Sequence, residues 1–228
     1  MTKKIQFVLR IWVTILAIFG SVVASRGQYS VDSVQAARQL KLEQLATDPE
    51  SPLSSDDIQH IHHYDPDSSF RIRAHIERLH NEPTLRIPTS DGTSKAFVRY
   101  ARLRFSIRGN ECALTLYRSQ ELFVNPAYRD HLFLPFTDET NGVETYGAGR
   151  YIDLSVKDIR NGYVIIDFNQ AYNPYCAYSN GYRCPVPPVE NNLLIPIRAG
   201  EKTYTGPIKE RPQPAPKVPA KEEHDITS

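Results

Sequence analysis

The 228-residue chain has little of several features that mark common classes of protein. It carries 27 Lys and Arg against 26 Asp and Glu, a net charge of only +1, so it lacks the strong positive charge that faces a nucleic-acid backbone. It has no C-x-x-C pair and no Cys/His spacing typical of a structural zinc site. Long helical segments do not alternate with strands, which argues against a parallel α/β fold. We therefore expect no nucleic-acid partner, no metal and no cofactor.

One apolar run stands out, and it lies at the N-terminus. It is preceded by three basic residues, Lys3, Lys4 and Arg10. The run Ile11–Val23 is too short to span a bilayer comfortably and ends in small residues, so we predict a signal peptide over residues 1–24, cleaved near Ala24. The prediction is export, to the periplasm or out of the cell. The alternative is an uncleaved membrane anchor, since Ile5–Leu9 could lengthen the apolar run.

A short helical arm is predicted to follow, over residues 25–50. Val31–Thr47 has a modest apolar stripe, with Asp32 or Ser33 as a candidate cap. Asp48 stands before Pro49, and a residue before proline is disfavoured in the helical conformation. The helix should therefore end there.

From Ser69 the apolar period changes to two, which is typical of strands with one wet face. The predicted strands are Ser69–Ile76, Lys95–Arg108, Glu111–Arg118, Tyr151–Val156, Tyr163–Phe168 and Leu193–Arg198. Gly109-Asn110 and Asn161-Gly162 are hairpin signals. We predict a mainly β fold, an antiparallel sandwich or a partly closed barrel, as a single domain over residues 51–205. Residues 206–228 contain five prolines and many charges, which predicts a disordered tail.

Polar, aromatic and glycine residues are concentrated in Phe136–Asn192, in three clusters. In the first, Phe136–Asp153, the guanidinium of Arg150 suits a carboxylate or phosphate of a ligand. The alternative is an internal ion pair of Arg150 with Asp138, Glu144 or Asp153. No phosphate-loop lysine and no following helix accompany the glycines, which disfavours a nucleotide site.

In the second cluster, Asp167–Tyr178, Asp167 follows an apolar strand. Partial desolvation of such a carboxylate raises its pKa and suits acid or base catalysis. The alternative is that Asp167 and Asn169 bind the backbone of the following loop.

The third cluster, Tyr182–Asn192, contains Cys184 and Glu190. Cys176 and Cys184 would close a nine-residue loop, and we favour a disulfide between them; a two-Cys metal site or a thiol nucleophile are the alternatives. The third cysteine, Cys112, is interpreted as a small buried apolar residue. Outside these clusters, His60, His62 and His63 resemble a metal site, but a solvated loop is the commoner explanation of such a run.

The motifs TYGAGRY, DFNQAYNPYCAY and CPVPPVEN together closely resemble the bacterial domain of unknown function family 1684, in its exported, Bacteroidetes-like form. The resemblance covers roughly Ser51–Lys202. It implies a compact, mainly β domain, and it brings no activity, substrate or catalytic residue.

Three functions remain open on the sequence. The first is a binding module for a small molecule or glycan, whose candidate ligand-binding residues are Tyr146, Arg150, Tyr151, Asn169, Tyr172, Asn173 and Asn191. The second is a hydrolytic enzyme with Asp138, Asp167 and Glu190 as acid and base and Arg150 as the anion holder. The third is a structural protein of the cell envelope. A membrane partner is expected only if the N-terminal segment stays uncleaved.

Overall fold

A computed structural model of the chain describes residues 29–211. The predicted signal peptide lies outside the described residues, as does the predicted tail beyond Arg211. The described fold continues to Arg211, past the tail boundary predicted at residue 206, because Lys209–Glu210 pairs in parallel with Ser179–Asn180. Within residues 29–211, no helix is long and apolar enough to cross a membrane.

The strands, in chain order, are β1 Arg71–Arg78, β2 Leu85–Pro88, β3 Ser94–Ile107, β4 Asn110–Ser119, β5 His131–Asp138, β6 Arg150–Ser155, β7 Tyr163–Asp167, β8 Ser179–Asn180, β9 Asn192–Leu193 and β10 Lys209–Glu210. Within residues 29–211 the α-helices are α1 Val31–Thr47 and α2 Gln120–Phe123. The main sheet runs in the order β6-β5-β4-β3-β1-β7, with antiparallel neighbours along that path. The sheet curls into a half-barrel, so the predicted fold class is confirmed.

Strand β5 lies between β6 and β4, next to one edge strand of the sheet, and was not among the predicted strands. Its sequence, HLFLPFTD, is apolar without alternation and contains Pro135. The reason is that both of its faces are buried: Leu132, Leu134 and Phe136 lie in the main core, while Phe133 lies in an aromatic cluster on the other face. A strand buried on both faces shows no period of two.

The segment predicted as the strand Leu193–Arg198 is a strand only at β9, which pairs in parallel with the end of β5. Beyond Leu193, side chains replace the ladder. The backbone N–H of Ile197 donates to Asp138 Oδ1 at 3.1 Å, and the carbonyl of Ile197 accepts from Arg150 Nη2 at 2.9 Å. Backbone groups that are satisfied by side chains need no neighbouring strand.

Helix α1 begins at Val31, as the sequence predicts, but its cap is Ser30 and not Asp32 or Ser33, because the Ser30 side chain accepts from the backbone N–H of Ser33. It buries Val34 and Leu45 against the body of the protein. Arg38 donates from Nε and Nη2 to the carbonyl oxygen of Asn169 and from Nη1 to that of Tyr64, at distances of 2.9–3.2 Å. These contacts place the next turn of the helix, which carries Lys41, beside the sheet.

Candidate ligand-binding site

One face of the sheet carries a row of aromatic and polar side chains where β3, β4, β5 and β6 run side by side. The register pairs Phe97 with Ser119, Tyr117 with Phe133 and Phe133 with Asp153. Paired residues point to the same face of a sheet, as do residues two apart on one strand. This face therefore brings Tyr151 and Asp153 of β6 beside the rings of Phe97 and Phe133.

A cavity of about 550 Å³ lies between this face and the segment 172–185 that covers it. We call it the aromatic cavity. Its volume is within the range of about 300–1,000 Å³ that ligand pockets have. The rings of Phe97 and Phe133 are stacked with centroids 5.5 Å apart, and Tyr151 meets Phe133 edge-on at 4.7 Å. Tyr172, in the covering segment, meets Tyr151 edge-on at 5.9 Å. Such packing gives a firm apolar surface with polar groups at its edge.

Asp153 is the polar centre of the aromatic cavity. His131 Nε2 lies 2.9 Å from its Oδ1, and the Tyr172 hydroxyl donates to its Oδ2 at 2.7 Å. Its side chain is nevertheless 43% exposed, because the carboxylate faces the cavity. Burial favours the neutral acid, but the hydrogen bonds of His131 and Tyr172 and the charge of Lys41 outweigh it and lower the pKa of Asp153. An ionised carboxylate with free acceptor capacity thus faces the cavity.

Lys41 of helix α1 completes this cluster. Its Nζ lies 3.1 Å from the centroid of the Tyr172 ring and 4.0 Å from Asp153 Oδ2. Burial lowers the pKa of Lys41, although Asp153 opposes the shift. Burial and the neighbouring Asp153 carboxylate raise the pKa of Tyr172 well above its usual value. The Tyr172 hydroxyl therefore stays protonated and remains a hydrogen-bond donor to Asp153.

Asn173 lies next to this cluster and is held by Glu201. Asn173 Nδ2 donates to Glu201 Oε1 at 2.7 Å and to the carbonyl oxygen of Lys202 at 2.8 Å. Two acceptors at Nδ2 fix the orientation of the amide. Asn173 is 2% exposed, and its Oδ1 has no hydrogen-bond partner among the residues that the structure describes. Since buried polar atoms are normally satisfied, an acceptor is left over where the side chain lines the cavity.

A second cavity, of about 460 Å³, lies on the helix α1 side of the same residues, and we call it the helix cavity. It shares Asp153, Tyr172, Asn173 and Tyr175 with the aromatic cavity. Its remaining lining comes from Lys41, Gln44, Leu45, Asp48, Tyr128 and Tyr178. The Asp153 cluster therefore stands between two cavities rather than at the end of one.

The far wall of the aromatic cavity is a cross-linked loop. Cys176 and Cys184 form a disulfide, which confirms the predicted pairing, and their Cα atoms are 6.3 Å apart. Cys184 itself lines the cavity. Ser90 ties the loop to the sheet side: its hydroxyl donates to the carbonyl oxygen of Tyr182 at 2.8 Å and accepts from the backbone N–H of Cys184 at 3.2 Å. The wall is thus fixed by covalent and polar contacts.

Comparison with known proteins identifies the family of the chain. The family model described as "Protein of unknown function (DUF1684)" matches residues 56–202. The chain belongs to this family. The solution NMR structure of an uncharacterised protein from Haloarcula marismortui is similar, with 31% identity and a TM-score of 0.59 over 75% of this chain and 93% of the other. No functionally curated protein matches the chain. These similarities confirm the family and the fold, and they assign no ligand or reaction.

The motif TYGAGRY of this DUF1684 chain builds a buried ion pair. Gly149 has a φ of +92°, and a Cβ there would lie 2.6 Å from the carbonyl oxygen of Phe136. Arg150 follows with its side chain fully buried, and its Nη2 donates to Asp138 Oδ2 at 2.8 Å. Nη1 donates to the carbonyl oxygens of Ala199 and Glu201, and Nη2 also to that of Ile197, while Nε has no partner among the residues that the structure describes. The structure therefore realises the internal-pair alternative for Arg150, away from the cavity.

The start of the motif DFNQAYNPYCAY fixes a loop. Asp167 Oδ1 accepts from the backbone N–H of Asn169 at 3.0 Å and from its side-chain Nδ2 at 2.8 Å. Asn169 is fully buried, and it also binds the backbone N–H and carbonyl of Asp67. This is the loop-fixing alternative for Asp167 and Asn169. Tyr172 and Asn173 of the same motif, by contrast, line the aromatic cavity, as does Tyr151.

The motif CPVPPVEN fills a gap between strands. Asn191 accepts from the backbone N–H of Thr115 on β4 and donates to the carbonyl oxygens of Thr115 and Pro135. Glu190 accepts from Arg99 and from the Tyr117 hydroxyl, at 2.8 Å and 2.7 Å. Both residues join β4 to its neighbours and neither lines the aromatic cavity.

Tyr146, the histidine run at residues 60–63 and Cys112 were also singled out in the sequence, and they lie outside the aromatic cavity. Tyr146 donates to the carbonyl oxygen of Cys176 at 3.3 Å and packs against the small core beneath helix α1. His62 contacts Thr205, and burial lowers the pKa of His63 to about 4. Within residues 29–211, no group of three or more His, Cys, Asp or Glu could hold a metal. Cys112 is a partly buried thiol packed against the main core.

Sequence reasoning did not place Lys41, His131 or Asp153 in the site. One signal was present: Tyr151 and Asp153 are two apart on a strand and share a face. The other contributors come from α1 and β5, which lie far from β6 in the sequence. Their convergence depends on the sheet order, and the sequence pattern does not give that order.

Proposed function

We propose that the chain binds a small, uncharged, polyhydroxylated ligand of the sugar type in the aromatic cavity. The observation that carries the proposal is the Asp153 carboxylate, which is held by His131 and Tyr172 among aromatic rings and still faces the cavity. Sugars present hydroxyl donors at their edges and apolar faces. An ionised acceptor beside the rings of Phe97 and Phe133 complements both features.

The charges around the cavity favour a ligand without net charge. Its lining contains three acidic and three basic side chains besides His131: Glu50, Glu121, Asp153, Lys95, Arg183 and Arg211. Two of these side chains, Arg211 and Glu50, form an ion pair with 3.3 Å between Nη2 and Oε2. A strongly charged ligand would leave part of this set uncompensated.

The hydrolase alternative has less support from the geometry. Asp138, Asp167 and Glu190 each bind protein groups, and none of them lines the aromatic cavity. Ser119 does line it and lies on the strand next to His131, but its hydroxyl caps helix α2 by accepting from the backbone N–H of Leu122 at 3.2 Å. A nucleophile needs a base within hydrogen-bond reach, and no hydrogen bond joins Ser119 to His131 in the described part of the chain.

The test is a saccharide library screened against the chain from residue 25 onward by saturation-transfer NMR, followed by titration calorimetry of each hit. We expect Asp153→Asn to weaken binding about tenfold or more, since a hydrogen bond to a charged group contributes about 1.5–3 kcal/mol. Asp56→Asn, at an exposed aspartate outside the cavity, is the matched control and should bind as the parent does. Absence of any hit, or unchanged affinity of Asp153→Asn, would count against the proposal and favour an envelope-structural role.

We also propose that the protein works outside the cytosol, in the periplasm or beyond. The support is the signal-like N-terminal segment together with a disulfide, which persists in oxidising compartments. Protein recovered from its own cells, with thiols alkylated before lysis, should begin near residue 25 and carry one alkylated cysteine, Cys112. A chain that retains residues 1–24 would support the anchored alternative, and three alkylated cysteines would contradict export.

A further inference from the structure

The two cavities meet at one ridge, formed by Asp153, Tyr172, Asn173 and Tyr175. Their volumes of about 550 and 460 Å³ each lie within the range of ligand pockets, so each is large enough to hold a small ligand. A ligand confined to the aromatic cavity would leave the other side of the ridge to solvent.

The Asp153 carboxylate serves both sides of this ridge. Its Oδ1 lies beside His131, which lines the aromatic cavity and not the helix cavity. Its Oδ2 lies beside Lys41, which lines the helix cavity and not the aromatic one. Oδ2 also accepts from the hydroxyl of Tyr172, which lines both cavities. Groups from both cavities therefore meet at this carboxylate, which can accept about four hydrogen bonds in all.

The lining of the helix cavity resembles that of the aromatic cavity, because it too combines tyrosine rings with polar side chains. Besides the ridge it is lined by Lys41, Tyr128, Tyr178, Gln44, Asp48 and one large aliphatic residue, Leu45. The Tyr178 hydroxyl donates to Glu201, so it is available to a ligand only as an acceptor. Buried Asn173, whose Oδ1 has no partner within residues 29–211, borders both cavities. Hydroxyl-rich ligands match such a surface on either side of the ridge.

We infer that the ligand is a linear chain of at least two sugar units, one in the aromatic cavity and the next across the Asp153–Tyr172 ridge in the helix cavity. The inference rests on the proposed function and extends it to the length of the ligand. Lys41, Gln44 and Asp48 lie outside the matched family segment, residues 56–202. The side chains from helix α1 and its C-terminal end would therefore take part in selecting ligand length.

The experiment measures affinity against ligand length by titration calorimetry. The probes are two ladders of one, two and three units: glucose, cellobiose and cellotriose, and N-acetylglucosamine with its β-1,4-linked dimer and trimer. With the parent chain, we expect the dimer of the accepted ladder to bind about tenfold tighter than the monomer, which corresponds to one or two net hydrogen bonds.

The variant Gln44→Trp places a bulky side chain in the helix cavity. It should keep the monomer affinity within about twofold and remove the gain with length, since two units then cannot lie across the ridge. Gln39→Trp, on an exposed position of the same helix that does not line the cavity, is the control and should keep the gain. A melting temperature for each variant verifies folding.

The outcomes separate the two proposals. Equal affinity for one and two units, or a gain that survives in Gln44→Trp, overturns the inference about ligand length and leaves a one-unit binding site. Absence of binding both to these ladders and to every member of the saccharide library, with the parent chain folded, overturns the proposed function and this inference with it.

Discussion

At the scale of single residues, Arg150 shows how a group suited to ligand binding is used for folding instead. Its guanidinium is fully buried and is compensated by one carboxylate and three carbonyl oxygens. Moving such a charge out of water is costly, and only a nearly complete set of partners offsets the cost. Asp138 is the one partner with an opposite charge, and it is as deeply buried as Arg150.

Replacing Asp138 by Asn therefore leaves Arg150 charged and poorly compensated. We expect the free energy of unfolding at pH 7 to fall by about 3–5 kcal/mol, the usual cost of breaking a buried pair. Urea denaturation followed by circular dichroism measures it. Glu77→Gln, in the exposed pair with Arg104, is the control and should cost about 0–1 kcal/mol. A loss below 1 kcal/mol for Asp138→Asn would show that Arg150 is not held by this carboxylate.

Residue types alone do not separate Asp138 from Asp153. Both follow apolar strand residues and both have a basic neighbour in the structure. They differ in what lies opposite: Asp138 faces a buried arginine, whereas Asp153 faces an open cavity and a histidine from the adjacent strand. That difference arises from strand pairing, so the sequence could nominate the segment Phe136–Asn192 but could not select the exposed carboxylate within it.

At the scale of elements, the strands that alternate were predictable and the others were not. β1, β3, β4, β6 and β7 lie close to their predicted bounds because apolar residues alternate in their sequences. The burial follows that alternation in β1, β3 and β7, whereas Leu114–Tyr117 of β4 are all buried. The hairpin between β3 and β4 follows the Gly109-Asn110 signal. Strand β5 was not predicted, because its neighbours in the sheet bury both of its faces and its sequence therefore shows no alternation. That burial is a property of the sheet and not of the strand alone.

The turn at Val189–Asn191 is a second element whose environment could not be predicted from its own sequence. Its prolines and polar residues are typical of an exposed loop, yet Asn191 is fully buried. The Asn191 side chain supplies the hydrogen bonds that β4 and β5 lack where they diverge, at Thr115 and Pro135. A loop acting as part of a sheet requires contacts 56 to 76 residues apart in sequence, which local patterns do not encode.

At the scale of the whole molecule, the last described residues contact the segment around residues 50–57, where the family segment begins. Asp57, at the start of the family segment, accepts a hydrogen bond from Lys209 of β10 and two more from Ser54. Arg211, just beyond β10, lines the aromatic cavity and pairs with Glu50. The segment that follows the family domain thus contributes to its stability and to the site.

The pair of Asp57 and Lys209 predicts a specific loss of stability in acid. Burial raises the pKa of Asp57, but hydrogen bonds from Lys209 and Ser54 outweigh it and lower the pKa from 3.8 to about 2. A carboxylate with a lowered pKa in the folded state stabilises the fold above its unfolded pKa and loses that contribution as pH falls toward the folded value. For Asp57 the loss falls between about pH 4 and pH 2 and amounts to at most about 2 kcal/mol.

We therefore expect Asp57→Asn to lower the melting temperature at pH 7 and to differ less from the parent chain as pH approaches 2. Other acid-sensitive groups are common to both proteins and cancel in the difference; Glu201, whose pKa is raised by burial, is one of them. Calorimetric scans from pH 7 to pH 2 measure the difference, and Asp56→Asn, the exposed neighbour, should follow the parent throughout. A difference between Asp57→Asn and the parent that is the same at pH 7 and pH 2 would mean that the charge of Asp57 does not hold β10 in place.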